Sequence, residues 1–542
     1  MKNFYFILLL FFFSISYAQQ TAIPDEDFEQ ELINQGIDSD GVINHLVLNS
    51  DINTILNLNI TSSNLHNIIG IEGFTQLESI NIMLCYNLTS LDFSNNLNLI
   101  TIFCDGNSLT SINVSNNIAL QELYCRANQL TLLDISNNIN LSYIECGYNQ
   151  LTVLDVSNNI NLSTLRCDTN QLTVLDVSNN INLSYLFCHD NLFTTLDVSN
   201  NINLIYLGCA KNQLTDLDVS NNINLLMLVC HTNQLTTLDV SNNINLYDLS
   251  CGYNLLTSLD VSQNVNLREL YCYYNLLTTL NIYANPDIRL ISCGYNPLTN
   301  LTITNAPLIW RIHCANCQLT TLDLSNFPLL KHLLCQNNLL TTLDLSNNPE
   351  LNYLICNNNT ISTLNLNNNA FHNSLNNVLH CNNNNLSTLA LQNGANTLLN
   401  GEYATNPGSS TLVYEQRFDA TNNPNLSCIF VDDVANCNTN WLGKDATSNY
   451  VSTQQECDNL QNEEFITNSF TIYPNPVNDI LFIENNNNNI IQKIVVYDVM
   501  GKTVIEQNDN VAQIDFSNIT KGLYLLKITS EKETIIKKII KK

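Results

Sequence analysis

Cysteine recurs every 21 residues through most of this chain: Cys104, Cys125, Cys146, Cys167, Cys188, Cys209, Cys230, Cys251, Cys272, Cys293, Cys314, Cys335 and Cys356. A period kept without slip over that length belongs to a stacked array, in which each copy buries its apolar face against the next. The unit is L-x-x-L-x-C-x-x-N-x-L-T-x-L-D-V-S-N-N-x-x, with one copy running from Leu183 to Asn203. Leu186 and Cys188 alternate with Phe187, so this part of the turn is a short strand with leucine and cysteine inward. Successive strands then stack in parallel about 4.8 Å apart.

That geometry decides what the thiols do. In-register β-carbons near 4.8 Å are too far apart for a disulfide, which needs about 3.5–4.5 Å and converging side chains. A straight column cannot surround one ion tetrahedrally either. The cysteines are therefore expected as small, buried, apolar residues. Asn191 and its equivalents should turn the chain out of the strand and bond neighbouring turns through their amides. The L-D-V-S segment should form the opposite wall, with Leu196 and Val198 inward and Asp197 outward. The aspartate column this creates, Asp134, Asp155, Asp176, Asp197, Asp218, Asp239 and Asp260, is expected to accept N–H bonds from the following S-N-N turn rather than to hold calcium.

With cysteine for the third leucine, the unit carries the leucine-rich repeat signature. The motif LxxLxCxxNxLTxLDVSxN, recurring from about Leu99 to Asn359, resembles the internalin J-like, cysteine-ladder type of leucine-rich repeat. The resemblance implies a right-handed solenoid, mostly parallel β with loops or short strands on the convex side, and a binding role by analogy only.

The ends differ in texture. Residues 1–18 read as a secretory signal: Lys2, the apolar run FYFILLLFFFSI, and SYA before a cut after Ala18. No later run is long and apolar enough to span a membrane, so none is expected in the mature chain. Residues 22–53 read as an N-terminal cap, with Asp25 capping a helix whose stripe is Phe28, Leu32 and Ile33. The repeats are placed at 54–391, with Ile60 and Ile82 standing in for cysteine in the first turns. Residues 392–457 are placed as a C-terminal cap region, of which 418–457 resemble the C-terminal caps of Bacteroidetes leucine-rich repeat proteins, and 458–468 read as a linker. Among the off-ladder cysteines, Cys428 and Cys457 are the pair expected to be bridged in an exported chain.

Residues 470–542 alternate like antiparallel strands, which points to a small β-sandwich. Their YPNP, YDVMGK, KGLYLLKI and terminal lysine elements resemble the C-terminal sorting domain of type IX secretion. This implies engagement of that secretion machinery and a secreted or outer-surface location.

A net charge of -29 repels phosphate backbones, so no nucleic-acid partner is expected. No nucleophile elbow, zinc-protease or phosphate-loop motif is present, and no enzyme activity, cofactor or metal is expected. CANC, Cys314 to Cys317, is read as a ladder residue beside a replaced turn asparagine rather than a redox pair, and His189, His231, His313 and His332 as exposed strand-face contacts. What varies from turn to turn is the outward strand face, and it is rich in tyrosine, a residue suited to recognition. Its densest patch comprises Tyr247, Tyr253, Tyr271, Tyr273, Tyr274 and Tyr295, with Arg268 and Arg289 expected beside it. The expected function is recognition or adhesion, with an extracellular protein or glycan held on the concave face. The alternative is a surface spacer without a specific ligand.

Overall fold

A computed structural model describes residues 19–542 apart from 370, 372–376, 395–396, 406–412, 462–469, 486–489, 510 and 532–533. The signal segment 1–18 and most of the linker 458–468 thus lie outside the described residues. The chain forms two compact units, Met1–Ser452 and Thr453–Lys542.

The first unit is built on one parallel sheet of 17 strands, running from Asn57–Ile60 to Phe418–Asp419. Neighbouring strands are in register, as in Tyr185↔Tyr206, Leu186↔Leu207 and Phe187↔Gly208. Most strands are three residues long, but the backbone ladder continues past them: Cys188 N–H donates to the Gly208 carbonyl at 2.8 Å. Every ladder cysteine is fully buried, as are Leu183 and Leu186. Cys381 extends the column one turn further, after an enlarged copy.

The opposite wall has the expected orientation and the expected mixture of loops and short strands. Leu196 and Val198 are buried and Asp197 is exposed, and L-D-V-S is not a strand in most turns. Paired strands occur there only in short sets, such as Ser90–Asp92 with Ser111–Asn113 and Thr279–Ile282 with Asn300–Ile303. Asparagine side chains supply the missing cross-turn bonds. Asn180 Nδ2 donates to the carbonyls of Val156 (3.0 Å) and Asn159 (2.9 Å), and Asn201 and Asn222 repeat the pattern. On the concave side, Asn191 Nδ2 donates to Cys167 O (3.0 Å) while its Oδ1 accepts from Leu172 N–H (3.0 Å). Exposed columns add a third and fourth rank, for example Asn200 to Ser178 O and Asn203 to Ile181 O. The asparagine-rich composition is therefore structural: amides stitch turns that are too short to do so by sheet alone.

The aspartate column is held as expected. Ser178, Ser199, Ser220 and Ser241 each donate a backbone N–H to the preceding aspartate at 2.9 Å. Hydrogen bonds from the serines hold Asp176, Asp197, Asp218 and Asp239 below the ordinary carboxylate range.

At the N-terminal end, helix Glu26–Asn34 is capped by Asp25, which accepts from Asp27 N–H and Phe28 N–H. Phe28 and Leu32 are buried; Ile33 is half-buried, and the third buried position of this helix is Glu29. Its carboxylate is cradled by the backbone N–H groups of Asn44, His45 and Leu46, closing the 38–44 loop onto the helix. Cys85 lies off the ladder. Its N–H donates to Asn107 Oδ1 at 2.7 Å, the bond that Leu109 makes to Asn128 in the next turn.

Residues 392–457 do more than cap. Phe418–Asp419 adds the last strand of the main sheet, and Cys428–Val431 and Asn449–Val451 extend the convex set begun by Thr363–Asn365. Phe418 stacks on Trp441 at 4.7 Å, closing the apolar end. Cys428 and Cys457 are disulfide-bonded and the remaining cysteines are free thiols.

In the second unit, a three-stranded antiparallel sheet (Phe470–Tyr473, Ile480–Asn485, Gln513–Asp515) accompanies a four-stranded one (Thr503–Asn508, Ile491–Asp498, Gly522–Ser530, Thr534–Lys541). They share a core of Val477, Leu481, Ile494, Val496, Phe516 and Leu526. The YPNP segment clasps the terminal strand: Asn475 Oδ1 accepts from Ile540 N–H (2.9 Å), and its Nδ2 donates to Lys538 O (2.7 Å). Val477 N–H donates to Ile540 O, and Lys541 Nζ is bonded to the Asn478 carbonyl.

Candidate ligand-binding face

Two positions after each ladder cysteine, the backbone enters the left-handed region. Tyr253 (φ 51°), Tyr274 (φ 51°) and Tyr295 (φ 55°) occupy it in consecutive turns. Their N–H groups bond the next turn, Tyr253 to Tyr273 O and Tyr295 to Ala315 O at 2.8 Å, which holds the conformation. Because the turns are in register, the three rings stack. Centroids lie 4.3 Å apart for Tyr253–Tyr274 and 4.0 Å for Tyr274–Tyr295, with planes within 10° of parallel. All three are exposed.

Tyr273 stands edge-on to this stack, 5.4 Å from Tyr253 and 6.2 Å from Tyr274. It can do so because Gly252 leaves the space beneath its ring empty. Tyr271 lies on the strand itself, half-buried, and donates from its hydroxyl to Glu269 Oε2 at 2.6 Å. Burial and that carboxylate hold the Tyr271 phenol protonated well above its ordinary range. Asp248, in register with Glu269, is pushed up to about 6, first by burial and then by the Glu269 carboxylate.

The remaining candidates sit elsewhere on the same strands. Tyr247, Arg268 and Arg289 all precede their strands, at the entry margin, whereas the tyrosine stack is at the exit turn. Tyr274 follows Arg268 by six positions, about 20 Å along an extended chain. Arg268 lies one turn from Tyr247, its N–H bonded to the Tyr247 carbonyl at 2.8 Å, and at the opposite margin from the stacked rings, so a ligand meeting both would cross the full width of the sheet. Among the described residues, guanidinium groups cover rings elsewhere: Arg126 over Tyr148 and Arg166 over Phe187, each at 4.4 Å.

Those arginines belong to a charged cluster that the repeat pattern did not single out. Glu145 pairs with Arg126 at 3.2 Å and Arg166 at 3.7 Å, and the buried Asp168 lies 3.6 Å from His189 Nε2. Its signal was charged residues at facing strand positions of adjacent turns, visible only once the register is known. The histidines are half-buried rather than exposed; burial lowers His313 and His332 to about 4. Cys317 replaces a ladder asparagine, its Sγ lying 3.7 Å from Cys293 O and 3.6 Å from Ala315 O. No group of three or more His, Cys, Asp or Glu among the described residues is arranged to hold a metal ion.

Comparison with known proteins agrees with this architecture. Residues 471–542 match the family described as the secretion system C-terminal sorting domain. The functional domain of InlJ from Listeria monocytogenes, which includes a cysteine ladder, is similar in fold at 25% identity and a TM-score of 0.59, over 98% of this chain and 100% of that one. The PEPR1–AtPEP1 structure is similar at 18% identity and a TM-score of 0.51, over 62% of this chain and 56% of that one. No curated protein matches in sequence. No described helix is long and apolar enough to cross a membrane. The chain is a leucine-rich repeat solenoid with a cysteine ladder, carrying a C-terminal type IX sorting domain that directs it to the cell surface or outside the cell.

Proposed function

We propose that this is a non-enzymatic recognition or adhesion protein, and that the concave face around the tyrosine stack is where it holds an extracellular protein or glycan. The observation that carries the reading is an exposed stack of three tyrosine rings built on a left-handed backbone position. The left-handed position costs an ordinary residue roughly 1–2 kcal/mol, and asparagine tolerates it best. The later turns use asparagine there, at Asn316, Asn337, Asn358 and Asn383, and the earlier ones carry Ala127, Tyr148, Thr169, Asp190, Lys211 and Thr232. Three consecutive turns instead carry tyrosine, a poor choice for the backbone but a good one for contact area. Tyr271 and Tyr273 enlarge the surface, and Tyr247, Arg268 and Arg289 offer a second margin to a ligand wide enough to reach them.

Ligand capture by the secreted protein, read on a glycan array and by pull-down from its surroundings, supplies the partner. Replacing Tyr253, Tyr274 and Tyr295 together by asparagine should preserve melting and weaken that partner at least tenfold. Unchanged binding by a normally melting variant removes this face as the site.

A further inference from the structure

A second cleft lies at the far end of the solenoid, away from the tyrosines. It has a volume of about 480 Å³ and is lined by Asn357, His380, Asn382, Glu415, Asp419 and Thr421 among others. Its floor is sheet: His380 is in register with Asp419 on adjacent strands, and Asn357, Asn382 and Thr421 follow the inward residues of three successive turns. Its wall is Glu415 and Gln416, at the end of the strand Val413–Gln416, which pairs with Glu402–Thr405 in an insertion before the last strand of the sheet. His380 Nε2 is bonded to the Gln416 carbonyl at 2.7 Å, joining wall to floor. Insertions in repeat arrays map to one face, often the binding face.

The lining defines the ligand. Asp419 Oδ1 accepts from both the N–H (3.0 Å) and the hydroxyl (2.7 Å) of Thr421, which fixes the carboxylate plane. Asn357 and Asn382 are half-buried and stand one turn apart, so their amides present donors and acceptors about 4.8 Å from each other. No lysine or arginine lines the cleft, and two carboxylates do, so phosphates, sulfates and acidic sugars are repelled. A fixed acceptor beside adjacent amides matches the vicinal hydroxyls of a neutral sugar ring, and the volume falls within the range of small-molecule sites, about 300–1,000 Å³.

We propose that this cleft binds a neutral saccharide, hydrogen-bonded through Asp419, Asn382 and Asn357. The site is independent of the tyrosine face, and either can fail without the other. Saturation-transfer NMR on the full chain, with millimolar methyl glycosides of glucose, galactose and mannose and with N-acetylglucosamine, tests it. At least one probe should receive saturation. Asn382→Ala, whose side chain is remote from the core, should melt like the parent and bind that probe at least tenfold more weakly. Asp419→Asn should do the same, and Asn200→Ala on the convex side should change nothing. Failure of every neutral probe, preference for glucuronate over glucose, or parent-like binding by both cleft variants would overturn the proposal.

Discussion

The ring of Tyr273 lies over Gly252 of the preceding turn, where a β-carbon would stand 3.1 Å from two ring carbons and 3.0 Å from the Tyr273 carbonyl oxygen. Glycine at this position thus belongs to the proposed recognition surface. Gly252→Ala should displace Tyr273 from its edge-on contact with Tyr253 and cost about 1 kcal/mol of stability. Denaturant unfolding measures the cost, and the ring shift is read from tyrosine NMR signals. An unchanged Tyr273 environment would show that the ring is not seated on Gly252.

The thiol column makes a chemical prediction. Denatured, unreduced protein should titrate with free thiols at every cysteine except Cys428 and Cys457, and native protein should react slowly at all ladder positions. Extensive bridging in the denatured sample would contradict the packing role of the column.

A pH dependence follows from the same burial. Burial pushes Cys209 and Cys251 up to about 12. The unfolded chain releases these protons near pH 8.5 while the native chain keeps them, so the stabilisation is full below that pH and is lost as pH rises toward 12. Each ladder thiol should add about 1.4 kcal/mol per pH unit to the loss. Alkaline denaturation between pH 9 and 12 should therefore be steep, and Cys209→Ala should lower its slope by about 1.4 kcal/mol per pH unit. Stability that stays level to pH 11 would refute the account.

Two asparagine columns should differ in worth. Asn222→Ala leaves the buried carbonyls of Val198 and Asn201 each without the amide that bonds them at 2.9 Å. Each carbonyl keeps one backbone N–H, so the expected cost is about 1–3 kcal/mol. Asn221→Ala removes only an exposed bond to Ser199 O and should cost less than about 1 kcal/mol. Denaturant midpoints of the two variants compare them directly; equal midpoints would mean that the buried column carries no special load.

In the sorting unit, Asn475 bonds the terminal strand on both sides of its amide. Asn475→Ala should loosen Thr534–Lys541, seen as faster hydrogen exchange at Ile539 and Ile540, and lower the amount of protein exported. The exported parent should lack residues 1–18 and the unit beginning near Phe470. Mass analysis checks both, and an extracellular form retaining Lys542 would count against removal of the sorting unit.

Much of this was legible in the residue order. Leu186 and Cys188 point inward because alternation and a fixed period admit one arrangement, and Asn191 bonds neighbouring turns because an asparagine that recurs with the turn must meet the same groups each time. The YPNP and KGLYLLKI elements likewise marked the sorting unit. Contacts between groups that do not repeat were settled only in three dimensions. The sign of φ at Tyr253, Tyr274 and Tyr295 stacks rings that the sequence merely lists, and position along the strand separates them from Arg268 and Arg289. The end of the inserted hairpin borders a cleft over Asp419 and Asn382, residues more than thirty positions apart. A repeat encodes its own packing because every copy meets an identical neighbour. What a surface binds depends on side chains brought together across turns, and their separation is set by register, backbone handedness and insertion, none of which periodicity reports.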